Sequence, residues 1–488
     1  MPINHSPQSR RRFLAGTLAT GAATAAMTRP SVAGMIASKT RIAILGSGGR
    51  GRELAKSFAK IDSCEIVAFA DPDIKRAEGL AKQFGAKPFQ DLRTVLDDKT
   101  IDAVVVATCN HWHCLATIWA IQAGKDVYVE KPLSHNQFEG AAVVRAAKEN
   151  NRIVQIGTQQ RSDPLQAQAR DFLHGKKALG EIQFVVACRM GQRKPIGKKS
   201  QPIKIDSNVD YDLWCGPAEK RGLVRDKMHY DWHWDWNTGN GEMGNWGVHI
   251  LDDVRNVAYQ DSVTTPTAIT AAGSRVAWDD AGNTPNLHVA VIETETFPTF
   301  MALSNLAAAP GEPKKGWSLR AELPQNLPGS GYAVVCDGGV YYGQRGSGRA
   351  VDSLGDTIKK FGEGKRDTVL MHARAFINAV QSRDASLLNA PIDQGHYSSG
   401  WCNLANVAVR AAAGNVDESI HEASDFGVWS LILDEMANQL APFRVSPESI
   451  RFSQRLKHDP KTERFVGDGS STANEFMTRS FRKGFVVS

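Results

Sequence analysis

Apolar strand-like runs and amphipathic helical stretches alternate in a regular order along residues 39–157. The short apolar runs predict five buried strands, at Arg41–Leu45, Glu65–Ala70, Asp102–Ala107, Asp126–Glu130 and Ile153–Gly157. The stretches between them predict helices at Gly51–Ile61, Ile74–Phe84, His113–Ala123 and Gln137–Asn150. Strands that alternate with helices are typical of βαβ units, so this region is predicted to form a parallel sheet.

The pattern changes after Gly157, and residues 158–488 are predicted to form a second α/β domain. Several longer runs alternate apolar and polar positions, as one-sided antiparallel strands do: Glu181–Met190, Thr267–Ala272, His288–Phe297, Tyr332–Cys336 and Val340–Gly343. Helical patterns occur at Pro164–Leu173, Val369–Ser382 and Ser398–Ala413. The predicted fold is therefore α/β, with an N-terminal parallel sheet and a C-terminal domain built on a large, mostly antiparallel open sheet.

Two segments of the second domain lack a clear period. Gln192–Ser207 is rich in Lys, Pro and Gly and is predicted to be an excursion loop. The polar tail from Pro460 onward either wraps over the body of the protein or serves as an oligomer arm. The exposed face of the open sheet favours a homo-oligomer, a dimer or a tetramer.

Residues 1–33 have the pattern of a twin-arginine signal peptide. Ser9-Arg10-Arg11-Arg12-Phe13-Leu14 precedes an apolar run from Ala15 to Met27, and Ser31-Val32-Ala33 offers small residues for cleavage. The apolar run is too short for stable membrane insertion. The segment predicts export through the twin-arginine machinery to the periplasm, and the alternative is a disordered basic tail.

Composition and charge mainly exclude other classes of protein and site. The formal net charge of +6 arises largely from the four arginines of the N-terminal segment, so the rest of the chain is near balance and does not predict a nucleic-acid partner. The seven cysteines are odd in number and scattered, without a CxxC pair. They favour free thiols over a disulfide scaffold or a zinc site.

The turn after the first strand predicts a dinucleotide site. It reads Gly46-Ser47-Gly48-Gly49-Arg50-Gly51, a GxGxxG that follows a strand and opens a helix, and Asp71 ends the next strand. The glycines allow close approach of a pyrophosphate, and the helix N-terminus supplies free N–H groups. Asp71 would accept hydrogen bonds from both ribose hydroxyls of NAD and would repel the 2′-phosphate of NADP, so NAD is expected over NADP.

Polar residues follow three further strands at the same sheet edge. Thr108, Asn110 and His113 follow the third strand and are expected to contact the cofactor, although each histidine of this loop could equally be a packing residue. Glu130-Lys131-Pro132 ends the fourth strand, and Pro132 fixes the turn. Glu130 and Lys131 are therefore predicted to contact the cofactor, and Lys131 also the substrate. After the fifth strand, Gln159 is expected at the cofactor and Arg161 at the substrate.

Tryptophans concentrate between Trp214 and Trp246, where five of the eleven occur. If Asp231–Trp236 is extended, its tryptophans share one face and Asp231, His233 and Asp235 share the other. Tryptophan faces stack on sugar rings, so the predicted substrate contacts here are Trp214, His233, Trp234 and Trp246. The alternatives are a tryptophan stripe in the core and a metal bound by His229, His233 and Asp235, and no metal is expected.

A glycine-rich loop then leads into a helix that carries Asn245 and His249 at i, i+4 spacing. Asp252 or Asp253 could orient the imidazole of His249 and stabilise its cation. A histidine–carboxylate pair suits proton transfer, so His249 is the predicted acid–base residue and Asn245 its neighbour at the substrate. The alternative is a capped helix start with a hydrogen-bonded histidine.

Together the fingerprint, Asp71, the Thr108–His113 loop, Glu130-Lys131-Pro132 and Asn245-xxx-His249 resemble the glucose–fructose oxidoreductase, inositol dehydrogenase and rhizopine catabolism (Gfo/Idh/MocA) family, in its twin-arginine-exported branch. The resemblance covers Lys39 to about Arg410. It implies a Rossmann domain over 39–157, a substrate domain over 158–488, homo-oligomers, and NAD(P)-dependent chemistry on sugars or cyclitols.

The resemblance also assigns residues. The family's catalytic lysine corresponds to Lys131 and its catalytic histidine to His249. The family often has aspartate where this chain has Asn245, and an amide cannot take a proton, so the part of Asn245 in proton transfer is left open.

The expected chemistry is hydride exchange between a retained NAD and a carbohydrate hydroxyl. His249 takes the hydroxyl proton, Lys131 stabilises the oxygen, and Glu130 sets the position and protonation of Lys131. An exported enzyme would have to regenerate its cofactor, either with a second substrate or through a redox-neutral glycoside hydrolysis by oxidation, elimination, hydration and reduction. A non-catalytic NAD-bound sugar sensor is the alternative of a different class.

Overall fold

The computed structural model describes residues 39–312, 317–362, 364–412 and 427–488, and the predicted signal segment at 1–33 lies outside them. Lys39–Ser488 form one compact unit. All seven cysteines are free, and six of them are buried. Within the described ranges, no helix has the length and apolarity needed to cross a membrane.

The first sheet of the described chain has six parallel strands in the order β3-β2-β1-β4-β5-β6. The strands are β1 (Thr40–Leu45), β2 (Cys64–Ala70), β3 (Lys87–Phe89), β4 (Ala103–Val106), β5 (Asp126–Val129) and β6 (Val154–Ile156). The connecting helices are α1 (Gly49–Phe58), α2 (Ile74–Phe84), α3 (Leu92–Asp97), α4 (Asn110–Gln122) and α5 (Gln137–Glu149). Every residue of β4 and β5 is buried, as expected for parallel strands covered on both faces. The predicted parallel sheet is confirmed.

The second sheet has eleven described strands and is mostly antiparallel, as predicted, with β7 and β10 paired in parallel. Its strands are β7 (Ile182–Met190), β8 (Ala268–Ser274), β9 (Leu287–Glu293), β10 (Thr299–Ser304), β11 (Ser330–Cys336), β12 (Gly339–Gln344), β13 (Ser347–Asp352), β14 (Thr357–Phe361), β15 (Arg451–Phe452), β16 (Leu456–Asp459) and β17 (Arg464–Val466). The helices of this region are α6 (Pro164–Arg170), α7 (Tyr211–Cys215), α8 (Val248–Val257), α9 (Thr368–Ser382), α10 (Ile392–Ala411), α11 (Gly427–Leu440) and α12 (Ser470–Glu475).

The second sheet is covered on both faces. One face packs against α8 and α10. The other packs in one core cluster with Trp429, Ile432 and Met436 of α11 and with Trp317. The expectation of an exposed sheet face is therefore wrong, and with it the ground on which the sequence favoured a homo-oligomer.

Two later segments complete the packing of the first sheet. Phe376 of α9 packs edge-on against Phe58 of α1 and Tyr128 of β5, with ring centroids 6.3 and 5.9 Å apart. Near the C-terminus, Phe485 packs 5.7 Å from the ring of Trp112 on α4. The tail thus wraps over the body, which is the first of the two options that the sequence left. The predicted boundary at Gly157 therefore separates the two sheets, but α9 and the C-terminal segment lie beyond it in the chain and still pack with the first sheet.

Candidate active site

The turn between β1 and α1 has the geometry of a phosphate-binding loop. Gly46 has φ +95°, and a Cβ there would lie 2.5 Å from the carbonyl oxygen of Ala107. A Cβ on Gly51 would lie 2.0 Å from the carbonyl oxygen of Gly46, so helix and strand meet too closely for a side chain. No side chain caps the N-terminus of α1 at Gly48. Its N–H groups are therefore available to an anion.

Asp71 lies at the end of β2, next to this turn, and is buried. Its Oδ2 accepts a hydrogen bond from the backbone N–H of Ser47 at 2.7 Å, and its Oδ1 accepts one from that of Asp73 at 2.9 Å. Burial raises the pKa of Asp71 to about 6, and the two backbone bonds act in the opposite direction. Among the described residues the buried Ser47 hydroxyl has no hydrogen-bond partner. An unpaired hydroxyl beside a carboxylate and an uncapped helix fits a dinucleotide.

A cleft of about 500 Å³ runs from this turn along the carboxyl ends of β1, β2, β4 and β5. Of the residues predicted from sequence, its lining contains Gly46, Gly48, Gly49, Arg50, Asp71, Thr108, Asn110, His113, Glu130, Lys131, Trp214, His233 and Asn245. The lining also contains Cys109, His229, Tyr230 and Trp232, which were not among the predicted cofactor or substrate residues. They lie in loops and short turns, where no period marks the side that faces a ligand. Arg76 of α2 also lines the cleft.

The polar groups after β4 are mostly bonded within the protein. Both ring nitrogens of His113 lie near carbonyl oxygens, Nδ1 at 2.7 Å from Pro132 and Nε2 at 3.1 Å from Thr108. The side-chain amide of Asn110 donates to Asn240 at 3.0 Å. Of the two interpretations of His113, the structure favours packing, since the imidazole ties the loop to the strand end. Its polar atoms are not free to contact the cofactor as expected.

Glu130 is held by two donors other than the lysine that follows it. Its Oε1 accepts from Arg50 Nε at 2.7 Å and from Gln159 Nε2 at 3.1 Å. Gln159 is buried and also donates to the hydroxyl of Tyr128. It therefore holds Glu130 in place from within the core and does not line the cleft. The expectation that Gln159 contacts the cofactor is therefore wrong. Glu130 acts on Lys131 through its charge, which favours the ammonium form.

Lys131 reaches across to the second domain. Its Nζ donates to the backbone oxygen of Asn245 at 2.8 Å and to the side-chain Oδ1 at 3.2 Å. Burial lowers the pKa of Lys131 to about 8, partly opposed by the charge of Glu130. Asn245, rather than Glu130, thus sets the position of the ammonium group.

The segment around Asn245 differs from the predicted regular helix. Met243–Gly247 form a π-helical turn, in which the Val248 N–H bonds the Met243 carbonyl, and α8 follows from Val248. Such single turns occur often at functional sites. Here the turn presents the carbonyl of Asn245 to Lys131, and His249 follows in the first turn of α8.

The predicted carboxylate partners of His249 are engaged elsewhere. Asp252 accepts from Arg161 Nε at 2.8 Å and from Ser398, and Asp253 accepts from Gln166 at 2.8 Å. The other guanidinium nitrogens of Arg161 bond Asp261 at 2.8 and 2.9 Å. Arg161 is thus a buried structural cation, and its expected role in binding substrate is wrong. The sequence paired Asp252 with its near neighbour His249. The actual partner of Asp252 is Arg161, which comes from a distant segment of the chain.

His249 lies in a buried, positively charged environment. Burial, followed by the charges of Arg345, Lys131, Arg50 and Arg189, lowers its pKa well below the usual range. Within the described chain its ring makes no hydrogen bond, and it packs 5.9 Å from the ring of Trp246. The imidazole is therefore neutral near pH 7 and has a free acceptor nitrogen.

The tryptophan-rich segment is not extended. Asp231–Trp234 form a 3-10 turn, so the expected faces of alternating side chains do not exist. His233 lines the cleft and stacks on Trp232 with centroids 3.6 Å apart, whereas Trp234 is buried under Arg193. The expectation that Trp234 contacts substrate is therefore wrong. Trp214 lines the cleft and stacks on Tyr211.

The long connection between β7 and α8 covers the cleft and is fastened to the β2–α2 turn, to α2 and to α4. The Ile74 N–H donates to Asn208 at 3.1 Å, and the Asp210 N–H donates to Pro72 at 2.8 Å. Further along, the carbonyl of Leu213 accepts from the indole of Trp112 at 3.0 Å. The predicted excursion loop thus belongs to a connection that forms one wall of the cofactor cleft.

Comparison with known proteins matches two regions of the chain. Residues 40–158 match a family described as oxidoreductase family, NAD-binding Rossmann fold, and residues 194–288 match its C-terminal alpha/beta domain. The scyllo-inositol 2-dehydrogenase (NAD(+)) of Bacillus subtilis is 35% identical over 181 residues, which are 36% of this chain and 53% of that protein. The 4-carboxy-2-hydroxymuconate-6-semialdehyde dehydrogenase of Sphingobium sp. is 30% identical over 178 residues, 36% of this chain and 54% of that protein.

The chain thus spans about half the length of these curated relatives. Among solved structures, the WlbA dehydrogenase from Bordetella pertussis, in complex with NADH and UDP-GlcNAcA, has a TM-score of 0.54 at 16% identity. The match covers 74% of this chain and 93% of that chain, and at this identity it shows the fold alone. Residues 40–158 and 194–288 of the chain thus match the NAD-binding Rossmann domain and the C-terminal α/β domain of the Gfo/Idh/MocA oxidoreductase family.

Proposed function

We propose that the protein is an NAD-dependent oxidoreductase that exchanges hydride between a retained nicotinamide cofactor and a hydroxyl group of a sugar or cyclitol. One observation carries the proposal. The ammonium of Lys131, at the edge of the cofactor cleft, is held by the backbone turn that leads to His249. The relatedness of the chain to an inositol 2-dehydrogenase supports the substrate class.

The cofactor would be held by the turn at Gly46–Gly51, by the free N-terminus of α1 and by Asp71. A bound nicotinamide would supply the acceptor for the hydride from the carbon of the alcohol. His249 takes the proton of the hydroxyl group, since its imidazole is neutral. Lys131 donates a hydrogen bond to the oxygen and stabilises the negative charge that develops there.

Asn245 has a positioning role in this scheme. An amide cannot accept a proton from the alcohol, but its two oxygens orient the ammonium of Lys131. Gly244 allows the turn to pack, because a Cβ there would lie 2.3 Å from the Cβ of Asn240. Asn245 thus orients Lys131 without adding a carboxylate to Glu130 and Glu242, whose charges already act on the ammonium.

Retention of NAD follows from the wall over the cleft and from the predicted route of export. A periplasm holds no useful pool of free NAD, so a protein exported by the twin-arginine route has to keep its cofactor and regenerate it. The β7–α8 connection, fastened over the cleft through Asn208, Asp210 and Leu213, would slow its release. Native mass spectrometry of the purified protein measures both the retained nucleotide and the number of subunits, and the family resemblance favours more than one.

The decisive experiment adds sugars, cyclitols and glycosides to the purified protein and records the absorbance of reduced nicotinamide. A lasting signal with a free sugar supports the dehydrogenase. Released aglycone without lasting reduced cofactor supports the redox-neutral hydrolytic cycle, which uses the same hydride step. Sugar binding with no hydride transfer by any compound contradicts the proposal and favours a sensor.

A further inference from the structure

The β12–β13 hairpin places an arginine beside Trp246, whose ring lies next to that of His249. Arg345 and Gly346 connect the two strands, and Gly346 takes the left-handed conformation that the tight turn requires, with φ +75°. Arg345 is exposed, and its guanidinium carbon lies 5.5 Å from the centre of the Trp246 ring. Among the described residues its guanidinium has no hydrogen bond or ion pair.

A second arginine contacts the same tryptophan. The guanidinium carbon of Arg189, at the end of β7, lies 4.0 Å from the centre of the Trp246 ring. Unlike Arg345, Arg189 has a carboxylate partner, because its Nε donates to Glu242 at 3.2 Å. Trp246 in turn lies beside His249, with ring centroids 5.9 Å apart. Two guanidinium groups thus lie next to the predicted catalytic imidazole.

The charge of Arg345 is not balanced locally. It lowers the pKa values of His249 and Lys131, so it acts on both predicted catalytic groups. The nearby carboxylates have other cations: Glu130 binds Arg50, and Glu242 binds Arg189 and Arg193. Asp253 also acts on Arg345, but burial and the charge of Asp252 raise its pKa to about 8, so it is largely protonated near neutral pH.

An exposed arginine on its own is usually a solvated surface residue. Two features distinguish Arg345: it rests on an aromatic ring that adjoins the predicted catalytic base, and it adds uncompensated positive charge to a site that already contains Lys131. Guanidinium groups bind carboxylate and phosphate through two parallel hydrogen bonds. A neutral sugar would leave this charge without a partner.

We propose that Arg345 is a specificity-determining residue and that the substrate is a sugar carrying an anionic group, a carboxylate or a phosphate, which Arg345 binds while the reacting hydroxyl lies between Lys131 and His249. This inference deepens the proposed function and rests on it. The anionic group would lie toward Trp246 and the hairpin tip, away from Asp71 and the adenosine end of the cleft.

The test measures binding by calorimetry to the NAD-loaded protein, with galactose, galacturonate and galactose 6-phosphate as probes. The expected result is that at least one anionic sugar binds more tightly than galactose, and that Arg345→Gln weakens that binding about 10- to 100-fold, the range expected for loss of a charged hydrogen bond. A carboxylate substrate is indicated if galacturonate shows the larger loss, and a phosphate if the phosphorylated sugar does. Arg345→Lys, which keeps the charge, restores part of the affinity.

Arg451→Gln is the matched control. Arg451 is exposed on β15, which pairs with the far edge of β8 and so lies six strand spacings from β12, roughly 29 Å. Its substitution should leave the affinity for all three sugars unchanged. Equal loss of affinity in both variants, equal binding of galactose and the acids, or no binding of either acid in the millimolar range overturns the inference.

The same variants separate this inference from the proposed function. If galactose or a cyclitol reduces the bound cofactor and the acids are no better, the inference fails and the proposed function stands. If an acid binds through Arg345 but no compound reduces the cofactor, the proposed function fails and the anion site stands.

Discussion

On the cofactor side of the cleft, the functional groups lie within a few residues of the strand ends of one sheet, as with Gly46–Gly51 after β1, Asp71 after β2 and Lys131 after β5. On the substrate side, each group comes from a different part of the chain. His249 comes from α8, Arg189 from the end of β7 and Arg345 from a hairpin. The first half is thus encoded locally, whereas the second exists only after the two sheets pack together.

Lys131 connects the cofactor side of the cleft with the substrate side. Its role therefore depends on its contacts in the folded protein more than on the Glu-Lys-Pro motif in which it occurs. The residue belongs to the Rossmann edge, but its ammonium is bonded to Asn245 of the other domain. Substitutions on the two sides should therefore separate cofactor binding from turnover, and at Lys131 the effect should fall on turnover alone.

The largest effect is expected for Lys131→Met. The variant should lose about 10²- to 10⁴-fold in kcat, because the developing oxyanion loses its charged donor, and it should still retain NAD. Turnover and bound nucleotide are measured on the same preparation. Lys148→Met is the control, since Lys148 is exposed and pairs with Asp393. Unchanged kcat, or loss of the nucleotide together with activity, would show that Lys131 does not act at the alcohol.

A second prediction concerns Arg161, which sequence placed at the substrate and the structure places in the core. Arg161→Met leaves Asp252 as a buried charge without its partner and should lower the free energy of unfolding by about 3–5 kcal/mol. Denaturant unfolding measures this value. Arg93→Met, at an exposed pair with Asp91, should cost about 0–1 kcal/mol. A stable Arg161→Met protein with weakened sugar binding would restore the interpretation from sequence.

The smallest effect is expected at Asp71, where only cofactor choice should change. Asp71→Asn removes the charged acceptor for the ribose hydroxyls and should shift the NAD-to-NADP affinity ratio toward NADP by about 10- to 100-fold. Arg76 lines the same part of the cleft and can bind a 2′-phosphate. Calorimetry on nucleotide-free protein gives the ratio. A ratio that does not move would mean that Asp71 does not contact the ribose.

The predictability of the fold follows the same division. Five of the six strands of the first sheet were predictable because buried parallel strands are continuous apolar runs. Lys87–Phe89 was missed since three residues carry no period, and Thr299–Ser304 was missed because its six buried residues do not alternate. The predicted strand His288–Phe297 ends early, at Glu293, where the hairpin to β10 begins. Local sequence patterns therefore predict the presence of a strand better than they predict its end residues.

For the site, sequence identified the groups but not their partners. Lys131 and His249 were predicted, yet the acceptor of Lys131 is a backbone oxygen exposed by a π-helical turn, which no motif encodes. Asp252 was expected to orient His249, but it is bonded to Arg161 from another segment. Arg345 carries no signal because an Arg-Gly pair is an ordinary turn. Long-range packing, absent from any local pattern, decides these contacts.

The most direct test of the central claim, that a cationic Lys131 and a neutral His249 share one hydroxyl group, is the pH dependence of the single-turnover rate at which a sugar reduces the bound cofactor. The pKa of His249 lies well below its usual range and that of Lys131 at about 8, so both groups are in the required state below pH 8. The account predicts a constant rate in the neutral range and a fall above about pH 8, where Lys131 loses its proton. A rate that rises through pH 8 would mean that uncharged Lys131 is the base, and would contradict the account.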